Sequence, residues 1–263
     1  MSSFVSRLLV VAIGAPLVLG GLWLGGWWLF ALVAAGSLVA LHEFYGMARP
    51  LRPLVLAGYA GGIAALVGAE LGGVQWMVGG FLSTLVLAFL FFLVARTRAP
   101  ATAAISATVF GAAWIGLGLG FLLLLRGLTD HGRLATLTVV IAVWVDDTAA
   151  YLIGRAVGRH KFSPAISPSK TWEGFVAGTA AGIFAVFVAL YHANFLSIPQ
   201  SIVLGAVVAV SAALGDLFES AFKRDLEVKD SGRLLAGHGG VLDRIDAFLF
   251  ALPAAYFTIV VLT

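Results

Sequence analysis

Long apolar runs broken by short polar intervals set the pattern of this chain. A bilayer span needs about 20 mostly apolar residues. Nine stretches approach that requirement, near 6–24, 27–41, 54–69, 74–95, 104–125, 134–153, 174–192, 201–221 and 246–262. The second and third are short, so eight crossings stand as the alternative to nine. The pattern predicts an all-α fold, a polytopic integral membrane helical bundle of about nine transmembrane helices. Glycine is frequent, at 32 residues, and small residues let membrane helices approach closely. Trp27, Trp28, Trp76 and Trp114 are expected at the membrane interfaces.

Composition sharpens this reading. The chain has 263 residues, 61% of them hydrophobic and 11% charged, where a soluble domain carries about 25% charge. Mean hydropathy is +1.03. The absence of cysteine excludes disulfides, thiolate metal sites and cysteine nucleophiles. A pI of about 9.4 reports cations that flank spans rather than a nucleic-acid partner. Arg7 before an apolar run opens the first span and is not read as part of a cleaved leader. With the N-terminus in the cytoplasm, all of the 16 lysines and arginines except Arg126 and Arg133 fall on the cytoplasmic side. That asymmetry is what the positive-inside rule requires. Arg126, at the end of a leucine run, is expected to snorkel to the headgroups.

The carboxylates are distributed unevenly. Of 13 acidic residues, all but Glu43, Glu70 and Asp130 lie at or after Asp146. Residues 1–100 therefore read as an N-terminal transmembrane scaffold. Residues 101–263 read as a C-terminal catalytic region with cytoplasmic loops at 154–173 and 222–245. His42 and Glu43 are expected at the interface.

Two polar constellations stand out. In the first, Asp146 and Asp147 lie in or at the end of an apolar helix, where each needs a cation, a metal or water. They are followed by Arg155, Arg159, His160, Lys161 and Lys170. Ser167 to Thr171 reads as a loop leading into a helix near Thr171, with Glu173 suited to the positive first turn. Backbone amides, hydroxyls and Lys170 there suit an anion. In the second, Asp216, Glu219, Ser220 and Lys223 fall at i, i+3, i+4 and i+7 on one helix face. Asp243 and Asp246 then follow a Gly-His-Gly-Gly bend whose glycines permit positive φ and close backbone approach to a ligand. Oxygen donors without cysteine suit Mg²⁺, which binds through one or two carboxylates plus substrate phosphates. The residues alone lead to metal-assisted phosphoryl or nucleotidyl transfer on a lipid phosphate. They identify neither the base nor the lipid.

The second constellation reads Ser220-x-x-Lys223-Arg224, then Lys229-Asp230, then Gly237-His238-Gly239-Gly240-x-x-Asp243-Arg244-x-Asp246. It closely resembles the signature of phosphatidate cytidylyltransferases, also called CDP-diacylglycerol synthases. The upstream Asp-Thr-x-Ala-Tyr, Gly-Arg and Ser-Pro-x-Lys-Thr-Trp-Glu-Gly elements resemble the same family, and the likeness covers roughly 141–246. The resemblance implies that CTP and phosphatidate are the substrates, with CDP-diacylglycerol and pyrophosphate as products. It assigns metal and pyrophosphate roles to the positions of Asp216, Ser220, Lys223 and Asp243. Asp246 and Asp147 become supporting carboxylates on the metal. Lys170, Arg224, Lys229, His238, Gly239, Gly240 and Arg244 become substrate contacts. Ala149 replaces a usual glycine and Ala236 a usual proline, beside the presumed ligands rather than on them.

The same resemblance implies a bacterial plasma membrane with the site facing the cytoplasm, and the bilayer itself as partner. A homodimer is one option for the assembly. Two other readings stay open. One is a CTP-dependent kinase of a polyprenol-type lipid. The other is a cation-coupled transporter using Asp146, Asp147 and Asp216 as intramembrane ion ligands.

Overall fold

The computed structural model describes residues 3–95, 100–232 and 239–263. His238 therefore lies outside the described residues, together with Gly237, Ala236 and Arg233 of the bend and with Arg96 and Arg98 of the charge asymmetry.

The chain is helical nearly throughout. Its elements are α1 (Ser3–Leu24), α2 (Gly26–Met47), α3 (Val55–Val94), α4 (Ala101–Gly111), α5 (Gly118–Arg126), α6 (Gly132–Val157), α7 (Trp172–Leu190), α8 (Ile198–Asp225) and α9 (Leu242–Leu262). A π-helical turn over Ala112–Leu117 joins α4 to α5 into one continuous helix. Among the described residues seven helices are long and apolar enough to cross a membrane, which makes this a multi-pass membrane protein. The expected nine segments count α3 as two and add α1. The reason lies in α3, which breaks at Gly72 (φ −147°) and Gly73 (φ 72°). Beyond the break it doubles back on itself. Gly68 lies against the Trp76 backbone, and Gly80 against the Ala64 backbone. A side chain at either glycine would force the two arms apart. In lipid, where apolar burial drives little association, such small-residue contacts hold helices together.

The chain divides into two compact units. The first comprises Met1–Gly127 with Leu226–Ile245, and the second Leu128–Asp225 with Asp246–Thr263.

In the first unit Tyr45 is a central packing residue. Its buried hydroxyl donates to the Thr108 carbonyl at 2.7 Å. The Thr108 hydroxyl in turn accepts from the Leu54 amide at 2.7 Å, where α3 begins. Phe44, Phe110 and Trp114 pack around this point. Trp114 is thus buried in the bundle, unlike the exposed Trp27, Trp28 and Trp76. Its place on the π-helical turn aims it at Phe44 instead of the interface expected from sequence.

Arg126 also departs from expectation. Its Nε donates to the Leu22 carbonyl at 2.8 Å, and a terminal nitrogen donates to the Trp23 carbonyl at 3.3 Å. These are orphan carbonyls at the end of α1, so the guanidinium caps a helix rather than snorkelling to headgroups. Gly25, at φ 69°, admits it. A Cβ there would lie 2.6 Å from the guanidinium.

In the second unit α7 packs between α6 and α8. The segment expected as a cytoplasmic loop at 154–173 is more ordered than the sequence implied. α6 continues to Val157, and antiparallel strands β1 (Lys161–Ser163) and β2 (Ser167–Thr171) follow. Thr171 then caps α7, its hydroxyl accepting from the Gly174 amide at 3.2 Å. Glu173 lies in the first turn of α7, where its charge complements the helix dipole as expected. It also reaches back to His160, 2.7 Å from Nδ1, and accepts from the His160 amide.

Candidate active site

In the second unit the polar side chains of α6 and α8 converge. Asp146 and Asp147 project from the middle of α6, Asp216 from α8 and Lys170 from β2, all lining one cavity of about 610 Å³. Ligand sites commonly occupy 300–1,000 Å³. Lys170 forms an ion pair with Asp216. Arg155, Lys161, Ser169 and Thr171 add further donors to the wall.

Small residues make this convergence possible. A Cβ at Gly178 on α7 would lie 2.9 Å from both the Asp146 carbonyl and its carboxylate. A Cβ at Gly215 on α8 would lie 2.6 Å from the Asp246 carbonyl. Asp146 and Asp246 therefore sit where helix backbones almost touch. Asp146 is buried. The sequence reading named Asp147 as the supporting carboxylate, yet Asp146 shares the cavity and stands within electrostatic range of Asp147, Lys170 and Asp216. The doublet inside an apolar run was the signal for both residues.

One helical turn after Asp216, Glu219 is fully buried, and Lys223 donates to it at 2.8 Å. This is the expected i, i+4 relation on the α8 face. Asp246 faces Asp216 and Glu219. Ser220 is half-buried on the same helix. Arg224 is exposed, and its Nε donates to the Ile166 carbonyl in the turn between the strands at 3.2 Å. That bond ties the end of α8 to the hairpin carrying Lys170.

The first unit holds the remainder. Asp243 opens α9, and its carboxylate accepts from the Gly240 amide at 2.7 Å and the Ser231 amide at 3.0 Å. Gly239, at φ 79°, lies against it. A Cβ there would fall 2.5 Å from Oδ2. A Cβ at Gly240 would strike Ser231 and the Glu43 carboxylate. The close approach that these glycines allow is thus to the protein's own carboxylates. Lys229 and Arg244 are exposed.

Glu43 is the residue sequence reasoning missed. Expected at the interface, it is buried, and it accepts from the Val241 and Leu242 amides at 3.0 and 2.8 Å. An acidic residue in an otherwise apolar α2 was the available signal.

Magnesium chemistry fits this donor set. Among the described residues no group of three or more His, Cys, Asp or Glu closes into a metal cluster by itself. Three aspartates nevertheless line the cavity, and Mg²⁺ ordinarily takes one or two carboxylates and fills its other positions with water and phosphate oxygens.

Residues 5–262 match the cytidylyltransferase family. A phosphatidate cytidylyltransferase of Staphylococcus haemolyticus is 44% identical over 138 residues, 52% of this chain and 53% of that protein. One from Staphylococcus aureus is 44% identical over 143 residues, 54% of each. The chain spans about half the length of these staphylococcal relatives. A phosphatidate cytidylyltransferase of Mycobacterium bovis is 35% identical over 258 residues, 88% of this chain and 80% of that protein.

Proposed function

Because the chain belongs to the cytidylyltransferase family, we propose that it transfers the cytidylyl group of CTP to phosphatidate, giving CDP-diacylglycerol and pyrophosphate. The observation carrying this reading is the cavity in which Asp146, Asp147, Asp216 and the ion-paired Lys170 converge, inside a bundle of membrane-length helices. Such a site suits the meeting of a polar nucleotide with a lipid-borne phosphate.

A phosphatidate oxygen attacks the α-phosphorus of CTP. A new phosphoanhydride bond forms, the bond between the α-phosphorus and the bridging oxygen to the β-phosphorus breaks, and pyrophosphate departs. The lipid phosphate is already a nucleophile, so no serine or cysteine nucleophile is required. Lys170, Arg224, Lys229, His238 and Arg244 offset the repulsion between the two anions. Gly239 and Gly240, proposed on the family pattern as substrate-binding, act through the bend they form against Asp243. Ser220 and Lys223 orient the pyrophosphate end. Asp216, Asp147, Asp246 and Asp243 are the residues that would hold Mg²⁺, which supplies charge neutralisation of the triphosphate. The positive-inside asymmetry supports a site facing the cytoplasm, and the bacterial relatives support a plasma membrane.

The test supplies labelled CTP, phosphatidate and Mg²⁺ to purified protein, with an EDTA control. CDP-diacylglycerol with pyrophosphate supports the proposal. Release of CDP with a phosphorylated lipid alcohol would replace it with the kinase reading. Cation flux in sealed vesicles without CTP would replace it with the transporter.

A further inference from the structure

We propose that Glu43 is a positioning residue for the transfer reaction, holding the start of α9 so that Asp243 is presented in one fixed orientation. The kinetic part of this inference rests on the cytidylyl-transfer reading, and the structural part stands without it.

A helix begins with backbone N–H groups that have no partner inside the helix. They are ordinarily satisfied by a side chain just upstream. At α9 the acceptor comes from far away in sequence. The Val241 amide donates to Glu43 Oε1 at 3.0 Å and the Leu242 amide to Oε2 at 2.8 Å. The Ser231 hydroxyl donates to the same Oε2 at 3.4 Å. That hydroxyl also accepts from the Asp243 amide at 3.3 Å, while the Ser231 amide donates to the Asp243 carboxylate at 3.0 Å. Glu43, Ser231 and Asp243 thus form one connected network in which both carboxylates accept from neutral donors.

Space around the clamp is filled as well. A Cβ at Gly232 would run into the Glu43 carboxylate, coming 2.7 Å from Cδ. At Gly240 it would lie 2.5 Å from Oε2. Two chain segments are therefore pressed onto one buried side chain, from either side of the bend. Glu43 is only 7% exposed, and both of its carboxylate oxygens are already taken by protein donors. Its influence on chemistry runs through Asp243, and misplacing a reacting group by about 1 Å can cost about a hundredfold in rate.

The experiment compares Glu43→Gln, Glu43→Ala and Gly232→Ala in the full-length, lipid-reconstituted protein. Backbone hydrogen exchange without substrate reads the clamp, and steady-state kinetics read the reaction. Glu43→Gln retains one oxygen acceptor but turns an amide donor toward an N–H. It should speed exchange at Ser231 and at 240–242 and lower kcat about tenfold, with KM for CTP moving less than about threefold. Glu43→Ala should lower kcat about a hundredfold. Gly232→Ala should reproduce the Gln variant although Glu43 is intact. Unchanged exchange in Leu128–Asp225 certifies the fold. Wild-type exchange at Ser231 and 240–242 in Glu43→Ala would overturn the clamp. A kcat at the wild-type value despite faster exchange would overturn the positioning role. Faster exchange in a protein whose wild type makes no CDP-lipid would uphold the clamp and defeat the assigned reaction.

Discussion

The Lys170 ammonium lies against a carboxylate oxygen of Asp216, joining the strand before α7 to the middle of α8. Both side chains are roughly a third exposed, at 27% and 32%. An ion pair so open to solvent contributes only about 0–1 kcal/mol to stability. Lys170→Ala should therefore leave the melting temperature in detergent within a few degrees of wild type. If the cation serves the nucleotide, the same variant raises KM for CTP and lowers turnover, with kcat/KM falling about a hundredfold. Asp216→Asn should lose turnover at least as severely while remaining folded in the membrane. Wild-type kcat/KM in Lys170→Ala would reduce the pair to a surface contact.

Gly239 and Gly240 are constrained differently. Gly239 sits at φ 79°, a region that costs a residue with a Cβ about 1–2 kcal/mol, and its Cβ would meet only the tip of the Asp243 carboxylate. Gly240 has an unexceptional φ, but the space beside it is taken by Ser231 and Glu43. Gly240→Ala should therefore be the more damaging change, because it displaces two buried hydrogen-bonding groups together. Thermal melting of the two variants under identical detergent conditions checks the order. A milder effect at Gly240 would mean that the bend relaxes easily around Glu43.

Arg126 offers a variant outside the reacting groups. Its guanidinium closes the α1 carbonyls of Leu22 and Trp23, and hydrogen bonds to a charged group are worth about 1.5–3 kcal/mol. Arg126→Ala should lower the melting temperature, with turnover per folded molecule preserved at a temperature well below the transition. An unchanged melting temperature would show that lipid or water replaces the cap at no cost.

Much of this was legible from residue order, and for physical reasons. Apolar runs marked the helices because lipid admits little else. The i, i+3, i+4, i+7 spacing put Asp216, Glu219, Ser220 and Lys223 on α8, where Glu219 and Lys223 do pair. Asp146 and Asp147 stood out because a carboxylate in an apolar run demands a partner. What could not be read were contacts between residues distant in sequence. Glu43 looked interfacial because nothing near it in sequence needs an acceptor, yet the amides it satisfies lie almost two hundred residues away. Arg126 looked like a snorkelling side chain because the carbonyls it caps belong to α1. The β1–β2 hairpin escaped notice because its strands are three and five residues long, too short for alternation to register.

Asp147 and Asp216 line the same cavity from different helices, so a cation bound there would draw on both α6 and α8. Replacing a carboxylate by its amide keeps the shape and one oxygen while removing the charge that favours Mg²⁺. Asp147 is exposed to the cavity rather than buried in packing, so the substitution opens no void and the fold should persist. Asp147→Asn should raise the Mg²⁺ concentration giving half-maximal rate at least about tenfold, a shift typical of weakened metal support, with turnover partly restored at high Mg²⁺. The measurement is initial rate against free Mg²⁺ at saturating CTP and phosphatidate, wild type beside variant. If the two curves superimpose, Asp147 is not among the metal ligands, and buried Asp146 becomes the carboxylate through which α6 serves the site.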